Sequence, residues 1–143
     1  MSGQAQYESL KLSNQLCFPL YAASRKVVSA YTPLLKPLGI TYTQYIVFMV
    51  LWEKRETTVR ELGQTLLLDS GTLTPVLKKL ESEGYITRCR DGADERVVTV
   101  HITDAGMALR EKAATIPAQM ASCADLTPEE AAELYRILYK ILE

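Results

Sequence analysis

The sequence has a single histidine, His101, and three cysteines, Cys17, Cys89 and Cys123, set far apart. No Cys-x-x-Cys pair occurs, so no zinc site of cysteine and histidine ligands and no metal cofactor is expected. An odd, scattered set of cysteines is equally unsuited to a secreted disulfide framework. What remains for these thiols is inert packing or reactivity in a reducing compartment. Long apolar runs are missing too. The longest strongly apolar stretch, Ile46 to Trp52, is far short of the roughly 20 residues a membrane helix needs. Residues Met1 to Ser9 are polar and carry no basic flank followed by an apolar run, so no secretory signal or membrane partner is expected and a cytoplasmic location is. Positive charge is not in excess: 16 Lys and Arg against 17 Asp and Glu give a formal net charge of −1. A strongly basic domain would point to nucleic acid; here any such reading rests on where the charges sit.

What is present is a chain of 143 residues, 48% hydrophobic and 23% charged, enough to bury a core, which excludes wholesale disorder. No internal repeat or low-complexity tract interrupts it. Apolar and aromatic residues at helical spacing (Leu20, Tyr21, Val27, Val28, Tyr31, Leu35) predict a first helix over much of Asn14 to Leu35, with Pro19 suited to its first turn or to a kink. Pro33, Pro37 and Gly39 are expected to close it. Thr41 or Thr43 caps a second helix through Tyr45, Phe48, Met49 and Trp52, ended by Glu53-Lys54-Arg55-Glu56. Thr58 and Glu61 have the spacing of a capping box, opening a short helix through Leu62, Leu66 and Leu67. After the turn Leu68-Asp69-Ser70-Gly71, a helix over Thr72 to Glu83 turns Leu73, Val76, Leu77 and Leu80 inward, and Gly84 suits its left-handed C-cap. Tyr85 to Arg90 and Arg96 to Ile102 read as a hairpin around Asp91-Gly92-Ala93-Asp94-Glu95. Thr103 caps a long helix toward Ser122, and Thr127-Pro128-Glu129-Glu130 starts the last one. The aromatic and methionine residues Phe18, Tyr21, Phe48, Met49 and Trp52 are expected mostly in the core.

Helix, tight turn, helix and β-hairpin in that order make a helix-turn-helix followed by a wing. The fold class is therefore mainly α with a small β-hairpin: a winged helix-turn-helix between N- and C-terminal helices. On the outer face of the second helix lie Ser70, Thr72, Thr74, Lys78 and Lys79. Short hydroxyls near a helix start let the backbone approach phosphates and base edges, and lysines a turn later reach phosphates. Arg88 and Arg90 alternate onto one strand face, and Arg96 follows the turn, where a projecting arginine suits a narrow minor groove. Against this, six basic residues between Val59 and Thr103 meet seven acidic ones. By count that is an ordinary solvated surface, and some winged helices bind proteins instead of DNA.

The run Asp69-Ser70-Gly71-Thr72-Leu73-Thr74-Pro75-Val76-Leu77-Lys78-Lys79-Leu80-Glu81, the exit Gly84-Tyr85-Ile86, the wing Asp94-Glu95-Arg96 and Thr103-Asp104-Ala105-Gly106 resemble the MarR family of transcriptional regulators. Asn14-Gln15-Leu16-Cys17-Phe18, Tyr21-Ala22-Ala23-Ser24-Arg25, Tyr31, Pro33-Leu34-Leu35 and Gly39-Ile40-Thr41-Tyr42 look like the OhrR subgroup of organic hydroperoxide sensors. The resemblance implies a homodimer with intertwined terminal helices, a palindromic double-stranded DNA operator, an organic hydroperoxide as effector, and Asp94 pairing with Arg96 in each wing. It also implies a regulated gene for a thiol peroxidase that destroys the same peroxides. The division it suggests is a sensing and dimerisation segment over 1–40, a DNA-binding domain over 41–103 and dimerisation helices over 104–143. Pro75 is compatible with the recognition helix if Ser70 or Thr72 caps it, which leaves Pro75 in the first turn.

Cys17 lies near the start of the first helix. If Pro19 holds the first helical position, Cys17 stands just outside the positive end of the helix dipole, which favours the thiolate that attacks a peroxide O–O bond. From position alone an inert packed thiol fits as well. The resemblance assigns Cys17 as the sensing thiol, Tyr31 and Tyr42 as phenols that support it across the dimer interface, and Cys123, at the end of the long helix, as the resolving thiol. Oxidised Cys17 would then condense with Cys123 of the other subunit and DNA would be released. Cys89 has no sensing role, and His101 is expected to face solvent. Three other readings remain open: a MarR-type repressor released by a small phenolic ligand, a thiol-dependent peroxidase, and a winged-helix protein-interaction module.

Overall fold

The computed structural model describes residues 2–143, with side chains from residue 5 onward. In chain order it contains α1 (Ser2–Glu8), a 3-10 turn (Leu12–Asn14), α2 (Cys17–Leu35), a second 3-10 turn (Lys36–Leu38), α3 (Tyr42–Lys54), β1 (Glu56–Thr58), α4 (Val59–Leu66), α5 (Ser70–Ser82), β2 (Ile86–Arg90), β3 (Val98–Ile102), α6 (Asp104–Ala113), α7 (Ile116–Met120) and α8 (Pro128–Leu142). This is the mainly helical winged helix-turn-helix expected. The chain divides into two units: one gathers the residues up to Tyr31 with those from Pro117 onward, the other is Thr32–Ile116. The boundaries at 40/41 and 103/104 read from the sequence both fall inside the second unit.

In the Thr32–Ile116 unit the local signals act as written. Thr58 accepts from the Glu61 N–H at 3.1 Å while Glu61 accepts from the Thr58 N–H at 3.2 Å, so two N-terminal amides of α4 are satisfied reciprocally. Thr41, not Thr43, caps α3, and Gln44 completes a second capping box there. Gly84, at φ 82°, ends α5: its N–H donates to the Glu81 carbonyl and the Tyr85 N–H to the Leu80 carbonyl, both at 3.0 Å. That is a Schellman motif, open to glycine without strain. It reverses the chain into β2.

The core lies where α3, α4 and α5 meet the sheet. Phe48, Leu51, Leu62, Leu73, Leu77, Leu80, Ile86 and Val100 are all buried, each contributing about 1.5–3 kcal/mol by removal of its side chain from water. Phe48 stacks on Trp52 with ring centroids 5.4 Å apart and meets Tyr85 edge-on at 5.6 Å. The Trp52 indole N–H donates to the Gly106 carbonyl at 3.0 Å, which ties α3 to α6. Phe18, Tyr21 and Met49, expected mostly in the core, are exposed.

The hairpin is part of a three-stranded antiparallel sheet in the order β1-β3-β2. Glu56 lies opposite His101, and Ile86 opposite Ile102. Strand β1 is not foreseen by the sequence reading. At three residues it is too short for an alternation to show, and its last residue doubles as the α4 cap. His101 is half-exposed as expected, and its Nδ1 lies 3.0 Å from Glu56 across the sheet.

Four sequence expectations need correction. Pro33 does not close α2; it lies inside its last turn. Helix α5 begins at Ser70 with Asp69 as its cap, so Pro75 is in the second turn instead of the first. The long helix from Thr103 to Ser122 is broken after Ala113, and Ile116 starts α7. Pro117 supplies the cause: its ring clashes with the carbonyl four residues earlier and it has no N–H to give. Cys123 therefore lies in the turn after α7, its N–H bonded to the Met120 carbonyl at 3.0 Å, and not on a helix.

In the other unit, Thr127 and Glu130 form the expected capping box, with Pro128 at the first helical position. Helix α8 has no buried residue, although Leu134, Ile137, Ile141 and Leu142 are spaced as an apolar face. Helix α1 is a further element the sequence reading omits.

Gly106 fixes how closely α6 approaches the end of α5. A Cβ there would stand 2.4 Å from the Tyr85 carbonyl oxygen and 2.7 Å from Ile102 Cγ1. Backbone and a core side chain would both have to move. We expect Gly106→Ala to destabilise the Thr32–Ile116 unit by about 1–3 kcal/mol, read from urea unfolding followed by Trp52 fluorescence. An unchanged midpoint would show that the contact is easily relaxed.

Candidate DNA interface and redox thiol

Between α4, α5 and the wing runs an open groove of about 1220 Å³. Ser70, Thr74 and Lys78 reach it from successive turns of α5; Arg88, Arg90, Asp94 and Arg96 reach it from the wing. The structure thus brings together seven of the nine residues the sequence points to. Thr72 and Lys79 are not among the lining residues. Thr72 donates its backbone N–H to the cap, and Lys79 is turned to Glu83 at 3.6 Å. The sequence reading missed Arg60 and Gln64, which line the groove from α4. Their four-residue spacing on a helix with Leu62 buried behind it was the available signal.

The start of α5 is already occupied by an acid. Asp69 Oδ1 accepts from the Thr72 N–H at 2.7 Å, and that backbone bond holds its carboxyl below the usual range. Ser70 remains exposed, while the Thr74 hydroxyl donates back to the Ser70 carbonyl at 2.7 Å. Leu67, at φ 55°, makes the sharp turn between the two helices and is exposed on the groove.

The wing is ordered by its own charges. Asp94 Oδ1 accepts from the Arg96 N–H and from Arg96 Nε, both at 3.0 Å, and Oδ2 accepts from Nη2 at 3.1 Å. This fork lowers the Asp94 carboxyl and raises the Arg96 guanidinium, yet the Arg96 side chain stays 90% exposed. Arg90 Nη1 donates to the Glu95 carbonyl at 2.9 Å, and Arg88 is turned inward to Glu81. The result is a concave surface with a projecting arginine at one end and lysine along its floor.

The thiols sit elsewhere. Cys17 is the first residue of α2 with Pro19 third, so the sulfur is on the first turn itself instead of just outside it. It is exposed and free, beside exposed Leu16, Phe18 and Tyr21. The Arg25 guanidinium lies 4.6 Å from the Tyr21 ring centre. Cys123 is half-buried and free, and Cys89 is exposed on β2 opposite Thr99. Tyr31 is half-buried on α2. Tyr42 is the first residue of α3, its ring 6.3 Å from that of Tyr45. Burial raises the Tyr45 phenol above its ordinary value, with Tyr42 adding to it. Among the described residues no group of three or more His, Cys, Asp or Glu is arranged to hold a metal, and no single helix is long and apolar enough to cross a membrane.

Residues 29–113 match the family described as transcriptional regulator SarA/Rot. Over 138 residues the chain is 46% identical to the organic hydroperoxide resistance transcriptional regulator of Bacillus subtilis, covering 96% of this chain and 94% of that one. It is similar to the reduced, DNA-bound form of AbfR, a Staphylococcus epidermidis protein (TM-score 0.78, 37% identity, 96% of each chain). Against the disulfide-formed AbfR the TM-score is 0.64 at 36% identity over the whole of both chains. A MarR variant of E. coli complexed with operator DNA gives 0.77 at 29% identity, over 90% of this chain and 94% of that one.

The lowered Asp94 carboxyl fixes a sign. Its contribution to the wing is fully present above the unfolded value of 3.8 and is lost only as pH falls through the still lower folded value. Asp94→Asn at neutral pH is expected to do what strong acid does to the natural wing. Amide exchange of residues 91–97 should accelerate while Trp52 fluorescence is unchanged. Equal protection in the variant would show that the fork does not order the loop.

Proposed function

We propose, from the premise that the chain belongs to the MarR and SarA/Rot family of winged-helix transcriptional regulators, that it is a redox-responsive repressor released from its operator by organic hydroperoxide. The chain is a transcriptional regulator and not an enzyme, so a peroxidase activity is set aside. The observation that carries the peroxide reading is an exposed, free Cys17 on the first helical turn of α2, in a chain so similar throughout to a regulator named for organic hydroperoxide resistance.

The chemistry follows from the thiolate. Its sulfur attacks the distal peroxide oxygen and breaks the O–O bond; the sulfur becomes a sulfenic acid and the alkoxide leaves, taking a proton to become the alcohol. The Cys123 thiol of the other subunit then attacks that sulfur, forming the disulfide and releasing water. Tyr31 and Tyr42 act as phenol donors toward the sensing sulfur. Reduced protein binds a palindromic duplex, with Ser70, Thr74 and Lys78 toward the major groove and Arg90 and the Asp94–Arg96 fork on the wing side. The unburied apolar face of α8 supports a homodimer built on the terminal helices. On this reading the protein works in the cytoplasm, where operator and reductant both are.

Cys17→Ser is expected to bind the operator as tightly as the natural chain, with no release by an alkyl hydroperoxide in a mobility-shift assay. Release of that variant by peroxide would overturn the sensor assignment. Cys123→Ser should still be oxidised at Cys17 but give no covalent dimer on a non-reducing gel; a natural chain that gives none after peroxide would overturn the two-cysteine scheme. Arg96→Ala should weaken operator binding by about tenfold and make the salt slope about one unit shallower. Unchanged binding would remove the wing tip from the interface.

A further inference from the structure

The groove contains a carboxylate that a DNA-reading surface does not need. Glu81, half-buried on the last turn of α5, grips the wing at two points: Oε2 accepts from the Arg88 backbone N–H at 2.9 Å and Oε1 from the Arg88 guanidinium at 3.1 Å. Those bonds hold the Glu81 carboxyl below its ordinary value, so it is ionised wherever the protein works. The Arg88 side chain is only 24% exposed, and its Nε is buried with no acceptor. Arg96 is also paired, to Asp94, but it stays 90% exposed. Arg88 is therefore drawn back into a groove whose other cations, Lys78 and Arg90 among them, are exposed.

A cation neutralised by its own protein releases no counterion from DNA, and a carboxylate facing phosphates repels them. We infer that Glu81 is a charge mask: it withholds Arg88 from the DNA backbone and so limits the protein's affinity for DNA of arbitrary sequence. The inference rests on the DNA-binding reading above and adds a residue that acts against binding. The unpartnered Nε marks the guanidinium as incompletely satisfied in the masked position. Loss of the Glu81 charge frees it to take a phosphate oxygen. An amide at position 81 keeps a carbonyl that accepts the Arg88 backbone N–H, so Glu81→Gln removes the mask while leaving the strand latched.

The test is binding of the full-length reduced protein to a random-sequence duplex over a series of salt concentrations. Glu81→Gln should bind about tenfold tighter at low salt, with a log–log salt slope steeper by about 0.9, the increment for one added phosphate contact. Arg88→Gln should leave the slope at its natural value, and Glu81→Gln with Arg88→Gln should return it there. Glu53→Gln, which removes the same charge away from the groove, should move neither quantity. An unchanged slope in Glu81→Gln overturns the mask, as does a shallower slope in Arg88→Gln alone, which would place Arg88 on phosphates already. A natural chain that binds neither random duplex nor operator would overturn the DNA reading itself, and the mask with it.

Discussion

The winged unit depends on one close approach, where the end of α5, the start of β2, the end of β3 and the start of α6 meet. The Thr103 hydroxyl donates to the Gly84 carbonyl at 2.7 Å and accepts from the Gly106 N–H at 3.2 Å, while its own N–H donates to the Tyr85 carbonyl at 3.0 Å. One side chain thus caps a helix and joins it to the turn that ends another. Gly106 makes this possible, because any Cβ there meets the Tyr85 backbone. Both wing strands start or end at this junction, so the angle between the wing and α5 is set here. The Glu81 grip on Arg88 adds a second attachment further along β2.

A chain of net charge −1 presents a surface suited to a polyanion by using acids around the groove for backbone work. Asp69 and Glu61 are spent on helix starts, and Asp94 on the wing loop. Each carboxylate is tied to backbone N–H groups that would otherwise be unsatisfied. The cations opposite them are left on the groove or, in the case of Arg88, held back from it. Counting charges therefore misjudges the surface, and the hydrogen-bond partners of the acids decide it.

The terminal helices answer to a different constraint. A face of leucine, isoleucine and tyrosine on α8 is left in water in the single chain, which costs free energy unless another apolar surface covers it. Cys17 and Cys123 both lie in the unit these helices form. Under the proposed function, oxidation there would bear on the packing of the terminal helices, while the proposed reading surface is carried by the other unit.

The sequence by itself settled much, though not all, of what is decided within a few residues. The Thr58–Glu61 and Thr127–Glu130 boxes, the Gly84 cap and the two wing strands are all local. The boxes depend on a side chain reaching nearby backbone, the Gly84 cap on a left-handed φ that glycine adopts freely, and the strands on residue alternation, and each is legible in the letters. The groove residues on α5 and the wing were legible for the same reason, since helical and strand periodicities give their faces. Tertiary structure decided what is not local. It placed β1, which is strand only because β3 lies beside it. It brought Arg60 and Gln64 to the groove, turned Lys79 away to Glu83, and paired Arg88 with an acid seven residues back. The break before Pro117 was written in the sequence, but the apolar spacing on either side hid it. The exposure of Phe18, Tyr21 and Met49 could not be read at all, because apolar character says that a side chain will be buried and never by what.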